Sequence, residues 1–314
     1  MDHSSNSLEV IVARSTGTCF GVEGAIEIAQ KYRKPILGPI VHNPKIVEDL
    51  AKDGIPILER YQDLESIEAQ GLKEVVITAH GYPKELKEDL LKRGVRFYDA
   101  TCPVLLKWVY QKIRTFEAKG FSIILVGNPD HAEIIASRSY GKNIHVVYSE
   151  EEVDQLPNNL GNTIAICQTT ITKDKFQKLV DYIRQTKYPE MKAIDTRCKP
   201  VKNQQQAVTD LAQWVDAILI IGGYNSSNTT SLARLAQKYL PNTTYHIDSP
   251  ELVKLDWLER IAHLGIGAGT STPKSQIDEV QRYVAEIYPG KVFFRKEGVD
   301  GEILDGDFSL EDEF

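Results

Sequence analysis

The stretch Tyr98-Asp99-Ala100-Thr101-Cys102-Pro103-Val104 recurs about a hundred residues later as Ile194-Asp195-Thr196-Arg197-Cys198-Lys199-Pro200-Val201. In both copies a β-type run, Val95 to Tyr98 or Met191 to Ile194, passes through Asp to Cys, and a helical pattern follows. A third, looser copy opens the chain: Leu8 to Ala13, then Thr16-Gly17-Thr18-Cys19-Phe20-Gly21-Val22, then Ala25 to Tyr32 in helical spacing. Strand, cysteine loop and helix repeated in this way constrain the chain to α/β units with mostly parallel strands. Such folds put their chemistry in loops at strand ends. Three lobes would then each offer one thiolate to a common centre.

The segments between the cysteines follow one plan. In the first, the apolar-rich run Glu74 to Thr78 ends in Ala79-His80-Gly81, and a polar turn, Val41-His42-Asn43-Pro44, precedes it. In the second, Ser122 to Val126 ends in Gly127-Asn128-Pro129-Asp130-His131-Ala132-Glu133, and Thr163 to Cys167 ends in Gln168-Thr169-Thr170. In the third, Ala217 to Ile221 ends in Gly222-Gly223-Tyr224-Asn225-Ser226-Ser227-Asn228-Thr229, and His263 to Ile266 leads into Gly267-Ala268-Gly269-Thr270-Ser271-Thr272-Pro273. A triplication of roughly 90 residues round a pseudo-threefold axis accounts for this economically. The expected lobes are 8–98 with Cys19, 99–194 with Cys102 and 195–288 with Cys198. An acidic extension, 289–314, follows; its last part, after Lys296, holds eight Asp or Glu and no Lys or Arg and is expected to be irregular.

Charge and cysteine usage narrow the function. A net charge of −7 argues against nucleic acid or an anionic membrane as main partner. No apolar run approaches the about 18 residues that span a bilayer, and Met1 to Ser7 lack the regions of a signal peptide. Four cysteines in 314 residues are too few for a disulfide scaffold, so a reducing, cytoplasmic setting is expected. Cys167, inside Ile164-Ala165-Ile166-Cys167, reads as a core thiol. No Cys-x-x-Cys pair is present, whereas widely spaced single cysteines suit an iron–sulfur cluster with one position open to substrate. Three unrelated core or loop thiols are the plainer alternative.

The polar loops gather His, Thr, Ser and Asn at strand ends and helix starts, where N–H and O–H groups bind phosphate. A single loop such as Ser226 to Thr229 is also what an ordinary helix cap looks like. Glu133, two residues from His131, is a candidate proton donor; pairing with a helix dipole is its other reading.

Taken together, Cys19-Phe20-Gly21-Val22, Val41-His42-Asn43, Ala79-His80-Gly81, Asp99-Ala100-Thr101-Cys102-Pro103, His131-x-Glu133, Gln168-Thr169-Thr170, Cys198, Asn225-Ser226-Ser227-Asn228-Thr229 and Gly269-x-Ser271-Thr272-Pro273 resemble the LytB/IspH family, in order and at similar separations. Members of that family reduce 4-hydroxy-3-methylbut-2-enyl diphosphate in the methylerythritol phosphate route to isoprenoids. The resemblance implies a trefoil of three α/β lobes enclosing a [4Fe–4S] cluster on Cys19, Cys102 and Cys198, the fourth iron open to the substrate hydroxyl. It implies that His42, His80, His131, Ser226, Ser227, Asn228 and Ser271 hold the diphosphate. Thr169 and Glu133 would orient the hydroxyl and, with His131, form the catalytic set. A ferredoxin or flavodoxin is the implied electron donor.

The chain departs from the family beside its cysteines. Ala132 stands where His-Pro-Glu is usual, which is expected to loosen that turn. Lys199-Pro200-Val201-Lys202-Asn203-Gln204-Gln205 stands where Ala-Thr-x-x-Arg-Gln is common after the third cysteine, and Thr16-Gly17-Thr18-Cys19 replaces Arg-Gly-Phe-Cys. Such changes retune a cluster or a substrate fit. The alternatives are therefore a divergent reductase acting on another hydroxylated substrate, or a non-catalytic cluster-binding protein.

Overall fold

The computed structural model describes residues 7–59, 64–297 and 303–304. In chain order the elements are β1 (Ser7–Val12), α1 (Phe20–Tyr32), β2 (Ile36–Leu37), α2 (Pro44–Lys52), β3 (Ile57–Leu58), α3 (Leu64–Ala69), β4 (Glu74–Ile77), α4 (Lys84–Lys92) and β5 (Arg96–Asp99). The middle of the chain forms α5 (Leu106–Ala118), β6 (Ser122–Val126), α6 (Ala132–Arg138), β7 (Ile144–Val147), α7 (Glu150–Asp154), β8 (Thr163–Cys167), α8 (Lys173–Thr186) and β9 (Lys192–Ala193). The rest comprises α9 (Lys199–Leu211), β10 (Ala217–Ile221), α10 (Ser227–Ala236), β11 (Thr244–Ile247), β12 (His263–Ala268), α11 (Lys274–Ile287), β13 (Lys291–Glu297) and β14 (Ile303–Leu304). Among the described residues no helix is long and apolar enough to cross a membrane.

The strands form three sheets, ordered β3-β2-β4-β5, β7-β6-β8-β9 and β11-β10-β12-β1-β13-β14. Every pairing is parallel except β13 with β14. The first four strands of each sheet share one winding order, so the triplication expected from the cysteine loops is an α/β architecture repeated three times. The repeat extends to single hydrogen bonds. The N–H groups of Gly38, Gly127 and Gly222, each just past the second strand of its sheet, donate to Leu58, Val147 and Ile247 at 2.9–3.0 Å.

By contact density the chain divides into one unit of Met1–Cys19, His42–Lys45 and Lys199–Phe314, and a second of Phe20–Val41 and Ile46–Cys198. The first unit holds the six-stranded sheet. Along β10 successive side chains face opposite ways: Leu219 and Ile221 pack with Ile277, Val280 and Val284 of α11, while Ile218 and Ile220 pack with Val208 and Leu211 of α9 and Leu232 of α10. Both faces are covered, which is why these strands read as unbroken apolar runs. The second unit holds the other two sheets. Ile123 and Leu125 of β6 face α5 and α6, and Ile124 and Val126 face α8. Cys167 is fully buried there, with its thiol pushed up to about 11 by burial, as befits a core thiol.

Two expectations are corrected. The strand Leu8 to Ala13 does not open the first lobe; β1 pairs with β12 through Glu9↔His263 to Val12↔Ile266 and completes the third sheet. Each strand entering a cysteine loop thus closes the sheet that precedes the loop, and for Cys19 that sheet comes last in the chain. Nor does the third lobe end at 288 with a separate extension from 289. β13 lies along the whole of β1, from Ser7↔Lys291 to Val12↔Lys296, and covers what would be an open edge. Apart from Ile303–Leu304, the acidic tail beyond Glu297 lies outside the described residues. The short helices α3, α6 and α7 have too few turns to show a helical period in the sequence.

Gly81 follows the His80 loop with φ +80°, and a Cβ there would collide with the Tyr110 hydroxyl. Gly81→Ala is therefore expected to cost about 2 kcal/mol, through strain and overpacking together. Urea unfolding of the variant beside the parent checks it.

Candidate active site

Each cysteine loop is closed by the same hydrogen bond. The Cys102 N–H donates to Ala79 O at 3.2 Å, Cys198 to Thr169 O at 3.1 Å and Cys19 to Thr270 O at 3.2 Å. Those carbonyls follow β4, β8 and β12, so each thiol-bearing residue is tied to the second polar loop of its own sheet. Side-chain turns shape two of the loops. The Thr101 N–H donates to Asp99 Oδ1 at 3.1 Å and the Arg197 N–H to Asp195 Oδ1 at 3.0 Å. Burial pushes the Asp99 carboxyl up, but the Lys87 ammonium 3.1 Å away and the Thr101 hydrogen bonds hold it below its ordinary value. All three cysteines are half-buried, and no disulfide forms among the described residues.

Within the second unit, the residues of the second repeat converge on one carboxyl. His131 is the N-cap of α6, its Nδ1 accepting the Glu133 N–H at 3.3 Å. That bond makes Nδ1 the acceptor and leaves the ring proton of the neutral imidazole on Nε2. Ala132 stands buried at the first position of α6, where the N–H needs no partner within the helix, so the position accepts Ala as well as Pro on that count. Glu133 is 4% exposed; its Oε1 accepts the Thr169 N–H and its Oε2 the Thr169 hydroxyl, both at 2.7 Å. Burial raises its pKa from 4.5 to about 7, against the opposing pull of the two Thr169 bonds. It is a carboxyl that carries a proton near neutrality, which a dipole-pairing surface glutamate is not. Thr169 O is also the carbonyl that receives the Cys198 N–H, so Glu133, Thr169 and Cys198 form one chain. The His80 and His131 rings meet edge to face, with centroids 5.9 Å apart.

Within the first unit, the loops after β10 and β12 and the segment 42–45 are locked together. Ser226 caps α10, its Oγ accepting the Thr229 N–H at 3.3 Å, and no acidic residue stands in the first turn. The helix-cap reading therefore holds, and the Ser226 hydroxyl hydrogen remains available for a ligand at the positive end of the helix. Ser227 is half-buried in that first turn. The Ser271 hydroxyl donates to His42 O at 3.2 Å. Asn43 Nδ2 donates to Gln276 Oε1 at 3.0 Å, and Gln276 Nε2 to Asp248 O at 2.7 Å, which fixes the turn bearing His42. A Cβ on Gly223 would stand 2.8–3.0 Å from Asn225 Oδ1, Pro44 Cδ and His42 O, so only glycine fits there. Gln204, on α9 six residues beyond Cys198, donates to Gly17 O and accepts from Asn228 Nδ2, both at 2.8 Å. Val201 is buried apolar core. Sequence reading did not find Gln276 or the partners of Gln204, because each bond joins residues far apart in the chain and no local pattern marks them.

The profile of the LytB protein family matches residues 10–285. The chain belongs to the LytB family. A 4-hydroxy-3-methylbut-2-enyl diphosphate reductase of Alkaliphilus oremlandii is 34% identical over 281 residues, covering 87% of this chain and 98% of that protein. The reductase of the same name from Aquifex aeolicus is 34% identical over 301 residues, covering 91% and 99%. Among solved structures, one described as (E)-4-hydroxy-3-methyl-but-2-enyl diphosphate reductase, the terminal enzyme of the non-mevalonate pathway, is 32% identical with a TM-score of 0.62, covering 89% of this chain and all (100%) of that one. A Plasmodium falciparum reductase structure, 20% identical, superposes with a TM-score of 0.83 over 96% of this chain and 95% of its own, which shows the common LytB fold.

Because folded Glu133 keeps its proton to about pH 7 while the unfolded chain releases it near 4.5, the folded LytB protein holds more protons in that window. Its stability therefore falls as pH rises from 4.5 through 7, by about 3 kcal/mol. Glu133→Gln is expected to remove that slope and to exceed the parent in stability at pH 8 while matching it near pH 5. Urea midpoints at the two pH values read the difference.

Proposed function

We propose that this LytB protein is a 4-hydroxy-3-methylbut-2-enyl diphosphate reductase, which replaces the allylic hydroxyl by hydrogen and yields isopentenyl and dimethylallyl diphosphates. The observation that carries the reading is the buried Glu133–Thr169 pair, a carboxyl protonated near neutrality at 2.7 Å from a hydroxyl. The reaction consumes two electrons and two protons: the C–O bond breaks, one proton leaves with the oxygen as water, and the other ends on carbon. A binding protein has no need of such a proton store, which disfavours a non-catalytic role.

The residues fit an iron–sulfur cluster. Three half-buried cysteines stand at equivalent strand ends, each N–H tied back so that the loop is fixed. Among the described residues no three His, Cys, Asp or Glu side chains gather as a site for a metal ion. A cluster takes one thiolate per iron, so its ligands need not meet at a point as those of a lone ion must. Cys19, Cys102 and Cys198 would hold a [4Fe–4S] cluster, leaving one iron for substrate. When bound, the cluster supplies electrons singly and a Lewis-acidic iron. The donor is a one-electron carrier such as ferredoxin or flavodoxin, and four cysteines outside disulfides suit the reducing cytoplasm.

The protein's own groups bind and protonate. His42, His80, His131, Ser226, Ser227, Asn228 and Ser271 bind the diphosphate, with the α10 N-terminus adding its partial positive charge. Thr169 orients the substrate hydroxyl. When Glu133 carries its proton on Oε2, the bond seen with Thr169 reverses: Oε2 donates to Thr169 Oγ1, the Thr169 hydrogen turns to the leaving oxygen, and the two protons move along that line together. The neutral His131, donating through Nε2, adds a hydrogen bond without a competing acid.

The test is anaerobic reconstitution, iron and sulfide analysis, and turnover of 4-hydroxy-3-methylbut-2-enyl diphosphate with a reduced viologen. About four irons per chain and both five-carbon products are expected. A full cluster with no turnover would reject this substrate. Glu133→Gln should keep cluster and substrate binding while losing on the order of a hundredfold or more in kcat; parent-like rates would remove Glu133 from the mechanism.

A further inference from the structure

In the second unit one side chain ties the loop after β6, which carries His131 and Glu133, to the loop after β8, which carries Thr169. Gln168 is 2% exposed and stands directly before Thr169. Its N–H donates to Val126 O at 2.9 Å and continues the β6–β8 ladder. Its side chain then crosses to the other loop, where Gln168 Oε1 accepts the Asn128 N–H at 3.0 Å. A backbone N–H only donates, which fixes the amide with Oε1 toward Asn128; Nε2 donates to Thr170 Oγ1 at 2.9 Å. From Asn128 the bonds run on toward the carboxyl. Asn128 Oδ1 accepts the Asp130 N–H and Asn128 O the His131 N–H, both at 3.0 Å. His131 Nδ1 accepts the Glu133 N–H, and both Glu133 oxygens meet Thr169. Thr169 follows Gln168 in the chain, so Gln168, Asn128, His131, Glu133 and Thr169 close into a ring.

The third repeat closes the same strand ends without such a side chain. The Gly269 N–H donates to Ile221 O as that of Gln168 does to Val126 O, and the Ser226 N–H to Gly223 O as that of His131 does to Asn128 O. Gly269 therefore occupies the place of Gln168, and a Cβ there would collide with Thr229 Oγ1. The first turn of α10 holds no acidic residue, whereas that of α6 holds Glu133. The glutamine thus accompanies the helix start that bears a buried carboxyl, and the strand pairing does not require it. We propose that Gln168 is a positioning residue for proton delivery: by holding the Asn128 N–H it fixes the start of α6 against the loop after β8, and so aligns Glu133 with Thr169. α6 has only seven residues, and so short a helix does little by itself to hold its first turn in place. The inference rests on the proposed function in taking the Glu133–Thr169 pair to deliver the proton.

Turnover and infrared spectra of the reconstituted holoenzyme test it. Gln168→Leu removes the acceptor for the Asn128 N–H, and kcat is expected to fall about tenfold or more. In the Glu133→Gln background, where the acid is already gone, the same change should cost less than about twofold, because the two residues act as a unit. An equal cost in both backgrounds makes Gln168 general scaffold and overturns the proposal. The second readout needs no substrate. With its proton on Oε2, Glu133 keeps Oε1 as a carbonyl that accepts the Thr169 N–H, and that bond lowers its C=O stretching frequency. The band is identified near pH 5 by its absence in Glu133→Gln. In Gln168→Leu it should move to higher frequency, and an unmoved band overturns the proposal. Should Gln168→Leu fail to fold, Gln168→Met, unbranched like glutamine and without its carbonyl, is read in the same way. A parent without turnover rejects the reductase reading, and the band then decides this inference by itself.

Discussion

Parallel pairing between two strands, made three times over, is the constraint from which the site follows. β5 lies beside β4, β9 beside β8 and β1 beside β12. In each case one strand runs on into a cysteine loop and its neighbour into a polar loop, so the two loops leave the sheet at the same end. The hydrogen bond from the cysteine N–H to the neighbouring loop carbonyl continues the ladder past the last paired residue. A parallel ladder thus becomes a device for setting a thiol beside Ala79 and His80, beside Thr169, or beside Thr270 and Ser271. Antiparallel neighbours would send their loops to opposite ends and could not do this.

Two electrostatic means work in these loops. At Glu133 burial prevails: two short hydrogen bonds from Thr169 leave the pKa near 7, and the carboxyl stays a proton source. At Asp99, Lys87 and the Thr101 bonds outweigh burial, and the carboxylate stays ionised as a loop fastener. The contrast lies in the partners. Thr169 offers only neutral dipoles, whereas Asp99 has an ammonium 3.1 Å away. One carboxyl keeps its proton near neutrality and the other stays ionised.

The strand-loop-helix repeat was legible because an Asp-to-Cys turn between an apolar run and a helical period is a local pattern. The polar loops were legible for the same reason, and Ser226 proved to be both a cap and a residue with a hydroxyl hydrogen to spare. The place of β1 was not legible. Its sequence resembles the other strands that enter cysteine loops, but pairing with β12 spans the whole chain, and no spacing records it. The strand in Lys291–Glu297 was hidden by mixed charge and by the acidic residues that follow. Ala132, expected to loosen a turn, sits at a helix position that makes no demand on its N–H.

From the sequence alone came the α/β class, the threefold repeat, the three cysteines and the polar residues gathered at strand ends. These depend on period, turn chemistry and residue type, which neighbouring residues decide between them. Tertiary structure alone decided that β1 and β13 complete the third sheet, that Glu133 is buried against Thr169, and that Gln204 bonds to Gly17 and Asn228. Each of these depends on what faces a group from elsewhere in the chain. Burial sets the Glu133 pKa, and a distant Gly17 carbonyl sets which way the buried Gln204 amide points. A sequence names the groups that can donate or accept; only the folded chain fixes their partners.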